Sequence, residues 1–116
     1  MDEGYYYFHN ETKNLIWKKF RPEEDSPSVQ KIWSVNTSDR GNAWTIFLEA
    51  LSMGLKLTRA EELAQKWKLN QEDFEEMLTH KRNPNVELQR GAHIFIRDIL
   101  NLDVNKYWEE LPKRKG

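Results

Sequence analysis

Hydrophobic positions along this chain change period once, near residue 40. Before that point the apolar and aromatic residues come in short runs: Tyr5, Tyr6, Tyr7 and Phe8, then Leu15, Ile16, Trp17 and Phe20, then Val29, Ile32, Trp33 and Val35. The segments "HNETKN" and "RPEEDSPS" separate them. β-Branched and aromatic runs bounded by such polar stretches are the mark of strands, and the first loop reads as a hairpin turn longer than the two-residue ideal. Residues 4–35 therefore predict a three-stranded antiparallel meander, about the smallest sheet that is stable with one packed face.

After "NTSDRGN" the period becomes helical. Trp44, Phe47, Leu48 and Leu51 share one stripe, and Gly54 is a good helix stop. Thr58, with Glu61 three positions on, reads as a capping box for a helix that turns Leu63, Ala64 and Trp67 inward. Asn70 is placed to cap the next helix, whose inward residues are Phe74, Met77 and Leu78. Asn85 is placed to cap a longer one, with Leu88, Ala92, Phe95, Ile96 and Ile99 on its apolar face. A short last helix holds Tyr107, Trp108 and Leu111, before Pro112 and a basic tail.

The fold class that follows is α+β: the meander packed on a bundle of four or five short helices. One domain spans 1–116, β-rich over 1–40 and helical over 41–112, with a basic tail over 113–116. Trp44, Phe47, Leu63, Trp67, Phe74, Phe95 and Ile99 are expected to share its core. Gly91 lies inside a helix at a cost of about 1 kcal/mol relative to Ala, which predicts close approach of another helix or of a partner.

Composition removes several classes of function. The longest apolar runs are a few residues, too short for a membrane span. The acidic start "MDEGYYYF" has no basic region or cleavage site of the kind that begins a signal peptide, and there is no Cys, so a reducing, cytoplasmic setting is expected. The formal net charge is −1, but it is unevenly spread: −1 over residues 1–40, −3 over 41–78 and +3 over 79–116. Such a chain has no global pull on nucleic acid, and any contact with it must come from a local patch.

Catalysis finds little in the sequence. His9, His80 and His93 are scattered over different elements, and no pair has ligand spacing on a helix. There is no Gly-rich phosphate loop and no nucleophile elbow. The chain is expected not to be an enzyme, and to need no metal and no cofactor.

Two local resemblances add to this. Tyr6 and Tyr7 precede Trp17 across a turn containing Thr12, and over residues 4–20 this resembles part of a WW domain. The resemblance implies that Tyr6 and Trp17 would clamp a proline-rich ligand. The strand pattern alone predicts instead that these aromatics pack on the helices. Both faces of the hairpin are aromatic or apolar, so one should cover the helices and the other should leave at least two rings partly in water. Tyr6 and Trp17 are expected on the exposed side.

"AEELAQKWKLNQEDFEEML", within residues 58–80, resembles a helix-turn-helix. Ala64, Leu69, Asn70 and Phe74 take its small, apolar, capping and core positions, and Lys68 stands where Gly is usual. Its second helix opens with Glu72, Asp73, Glu75 and Glu76, carboxylates that would repel phosphates. An acidic surface formed by Glu72, Asp73 and Glu76, facing a basic partner, is the better expectation. A basic stripe of Lys81, Arg82, Arg90, His93 and Arg97 could meet phosphates or acidic protein. The function expected is a small non-enzymatic protein-binding module: an adaptor, inhibitor or regulatory subunit. The alternative is a nucleic-acid-associated regulator that uses the basic stripe.

Overall fold

A computed structural model describes residues 4–23, 26–35, 40–80 and 85–115, with backbone only at 40–42, 79–80 and 111–115. Three strands come first: β1 (Gly4–His9), β2 (Asn14–Lys18) and β3 (Val29–Val35). Helices follow: α1 (Arg40–Met53), α2 (Leu57–Lys66), α3 (Gln71–His80), α4 (Val86–Ile94) and α5 (Val104–Lys115). The class is α+β, with an N-terminal antiparallel sheet.

The sheet order is β2-β1-β3, so β1 is central and the chain does not run as an up-and-down meander. His9 pairs with Asn14 on one side and with Val29 on the other. Both β2 and β3 therefore start at the same end of β1 and run parallel to each other. The connector must cross the length of the sheet to bring β3 back. A polar segment with two Pro, too long for a tight turn, can do that.

Strands and helices share one buried cluster. Trp44 is at its centre, with ring centroids 5.7 Å from Phe47, 5.1 Å from Phe74 and 5.3 Å from Phe95. Leu63 is also fully buried, whereas Trp67 and Ile99 are half-buried at the margin. Of the sequence-predicted core, five members are central and two are peripheral. α4 crosses α1 at Gly91, where any side chain would strike the Leu48 backbone. The partner that Gly91 admits is a helix of its own chain.

The caps follow local chemistry in most places. Gly54 (φ 112°) ends α1 in a Schellman motif: its N–H reaches the Leu51 carbonyl (3.1 Å), and that of Leu55 reaches Ala50 (3.0 Å). Leu55 is then buried, and only Lys56 separates it from α2. The expected Thr58 capping box is therefore absent: α2 begins two residues earlier, with Lys56 at the N-cap and no side-chain cap bond. Asn70 does cap α3, through Oδ1 to the Asp73 N–H at 2.8 Å. Asn85 caps α4, through Oδ1 to the Leu88 N–H at 2.7 Å. Beyond Ile94 the helix widens into a π turn over Phe95–Ile99, closed by the Leu100 N–H on the Phe95 carbonyl (2.9 Å). α5 continues through Pro112 to Lys115, and the Leu111 side chain lies outside the described set.

Candidate protein-binding surface

The sheet has one covered face and one open face, and strand alternation assigns each residue to its side. Tyr6, Phe8, Leu15, Trp33 and Val35 point into the buried cluster. Tyr5, Tyr7, Ile16, Lys18, Ile32 and Ser34 point the other way. Tyr7 sits between Ile16 on β2 and Ile32 on β3, a row across all three strands. All three side chains are half-buried, and none belongs to the core or packs on it. At one end of this face the Arg21 guanidinium stands 6.0 Å over the Tyr5 ring. At the other end His9 lies 6.2 Å from Tyr7.

Tyr6 and Trp17 do face each other across β1 and β2. The expected exposure is found at Trp17 and not at Tyr6. Tyr6 is 5% exposed, with its ring edge-on to Trp67 at 5.2 Å. The helix layer chose the Tyr6–Phe8 side because that side continues into Leu15, Trp33 and Val35, whereas the other carries Lys18. A clamp of the WW kind is thus closed at Tyr6 by the chain's own Trp67. Burial pushes the Tyr6 phenol up; the Trp67 indole N–H and the Arg59 charge pull it back, though the indole N–H does not reach hydrogen-bond geometry. Trp17 shares the covered face but sits at its rim, 40% exposed, with its ring lying over Gly4. Phe20, just beyond β2, is 78% exposed.

The acidic start of α3 is divided. Glu72 and Glu76 are exposed, while Asp73 is half-buried and tied to Asn70. Glu75 accepts a hydrogen bond from the Tyr107 hydroxyl at 2.7 Å and another from Gln71 Nε2 at 3.2 Å. Since Tyr107 on α5 is buried, the first turns of α3 are anchored to α5. In the helix-turn-helix reading these residues would have faced a groove. Lys68 occupies the turn in the left-handed conformation (φ 55°), with its N–H on the Gln65 carbonyl and that of Leu69 on Ala64.

Of the basic stripe, Arg90, His93 and Arg97 lie among the described residues, and all three are exposed. Lys81 and Arg82 lie outside the described residues. Arg97 sits in the π turn and is held by its neighbour Asp98 through two 2.9 Å bonds, which keep the Asp98 carboxyl below its ordinary range. Arg90 and His93 remain exposed, with the imidazole 5.8 Å from Trp108.

Sequence reasoning missed two features. One is the open row of Tyr7, Ile16 and Ile32. Its signal was Lys18, which shares a face with Ile16 and marks that side as the wet one. The other is Glu49 on α1, 3% exposed and ion-paired to Lys31 of β3. No helical period reveals a carboxylate buried for a strand partner.

Among the described residues, no group of three His, Asp or Glu could hold a metal ion, and no helix is long and apolar enough to cross a membrane. No protein-family model, no curated protein and no solved structure matches the chain.

Proposed function

We propose that this chain is a small non-enzymatic protein-binding module whose contact surface is the open face of its sheet. The observation that carries the reading is the row Tyr7, Ile16 and Ile32: three large apolar side chains on the side of the sheet away from the core. Contiguous apolar surface of this kind, rimmed by polar groups, is characteristic of protein contacts, and Tyr with Arg is the pairing that binding hot spots favour. Tyr5 under Arg21 supplies that pairing at the rim. Trp17 and Phe20 extend the apolar surface around the β2 edge. Glu72 and Glu76 on α3 offer a separate acidic contact for a basic region of the same partner. An adaptor, inhibitor or regulatory subunit in a reducing, cytoplasmic setting suits a chain without Cys.

A photo-cross-linking residue at position 7 tests this, with one at the exposed Glu61 as control. Position 7 should trap one defined protein and position 61 should not. The double variant Tyr7→Ala, Ile16→Ser should lose that complex with its cooperative unfolding retained. An unchanged complex in a folded double variant would rule the face out.

A further inference from the structure

The sheet order leaves β2 at an edge, and the two halves of that edge differ. The Leu15 N–H donates to Oδ1 of Asn14 at 2.8 Å, and the same oxygen accepts from Nε of Arg59 at 3.1 Å. An N–H given to a side chain is not bonded across the ladder. Leu15 therefore faces Phe8 as a pair without ladder hydrogen bonds, and by alternation Trp17 faces Tyr6 in the same way. The peptide groups of both residues point outward from the sheet. At Leu15 the outward donor is capped by Asn14, with Arg59 of α2 beside it. At Trp17 no such cap is present among the described residues.

The surroundings of the Trp17 peptide are apolar and positive. The Trp17 ring is partly exposed and Phe20 is largely so. Lys18 and Lys19 are both exposed, and neither is ion-paired among the described residues; Lys19 lies 5.9 Å from the Phe20 ring.

We infer that the Trp17–Phe20 edge takes up an extended acidic segment of a partner protein as a fourth strand. This rests on the protein-binding reading above and names the partner's chemistry. Added strands gain affinity from main-chain hydrogen bonds and specificity from alternate side chains. Here the outward peptide groups of Trp17 supply the bonds. The two aromatic rings cover apolar side chains of the segment, and Lys18 and Lys19 meet its carboxylates. The lysines also argue against a second copy of the chain as the occupant. Edge-to-edge pairing of two β2 strands would gather four lysines with no acid between them, the usual way an edge is kept from its own kind.

The test is an NMR titration of the full chain with three probes: a peptide alternating Glu and Val, the same peptide with Lys for Glu, and an oligothymidylate strand. The Glu–Val peptide should bind, shift the β2 resonances and slow exchange of the Trp17 amide. The variant Lys18→Glu, Lys19→Glu should weaken it about tenfold and turn the preference toward the Lys–Val peptide. Its amide spectrum elsewhere should stay as in the parent. Equal binding of both peptides, preferred binding of the oligonucleotide, or no binding of the Glu–Val peptide would overturn the inference. If the cross-link at position 7 survives such a result, only the edge assignment falls. If that cross-link is absent as well, the protein-binding reading falls with it.

Discussion

Gly91 of α4 rests directly on the backbone of Leu48 in α1. A Cβ built on the glycine would overlap the Leu48 carbonyl and come within 2.9 Å of its Cα. The two helices meet there without an intervening side chain, which lets Ala92, Leu88 and Phe95 reach the α1 core residues.

Gly91→Ala should therefore destabilise the protein by about 1–3 kcal/mol, the usual cost of overpacking. The same change on an exposed helix face would stabilise by about 1 kcal/mol. Urea denaturation distinguishes the signs, and a raised midpoint would mean that α1 and α4 can separate freely.

Lys68 holds a left-handed conformation that costs an L-residue roughly 1–2 kcal/mol. Lys68→Gly relieves this but frees the unfolded chain, so a net gain of about 0.5–1 kcal/mol is expected. Glu61→Gly, inside α2 and exposed, should instead lose about 1 kcal/mol. Thermal melts of the pair would expose a wrong turn assignment as equal losses.

Glu49 is buried with Lys31 as its charged partner, and the Lys31 side chain is 38% exposed. Lys31→Ala should cost about 1–3 kcal/mol by leaving the carboxylate unpaired. The double variant Lys31→Met, Glu49→Leu should recover most of that loss, because a packed apolar pair replaces the ion pair. Additive losses in a double-mutant cycle would show that the two side chains do not act together.

Tyr6 carries the one pH prediction. Burial raises its phenol above the usual 10.0. The folded state thus holds the proton more tightly than the unfolded chain does. The stability from this is full below pH 10.0 and is lost as pH rises toward the folded value. Tyr6→Phe should have a shallower fall in stability above that pH than the parent. Parallel curves by chemical denaturation across the alkaline range would contradict the burial of this hydroxyl.

Trp44→Ala should cost about 3–5 kcal/mol, because the ring is central to the core. Trp17→Ala should cost far less, since much of that ring is already in water. Comparable losses in the two denaturation midpoints would place Trp17 inside the core.

The sequence by itself determined the elements and most of their ends. Asn70 and Asn85 cap their helices because an Asn side chain reaches the N–H three residues on wherever the chain turns into a helix. The change of period near residue 40 separated strands from helices, because burial on one face imposes 2.0 on a strand and 3.6 on a helix. The face of the sheet that meets the helices was not determined in this way. Both sides of "GYYYFH" are aromatic, so its local pattern suits either. Only tertiary packing decided, by aligning Tyr6 and Phe8 with Leu15, Trp33 and Val35 against one helix layer. The strand order was likewise decided in three dimensions, since a long connector serves either edge of β1 equally well. Glu49 became a buried ion only because β3 brings Lys31 to it, a meeting of residues 18 positions apart that no local pattern encodes. The open row of Tyr7, Ile16 and Ile32 follows from the same choice: once one face is packed on the helices, the residues of the other point away from the core.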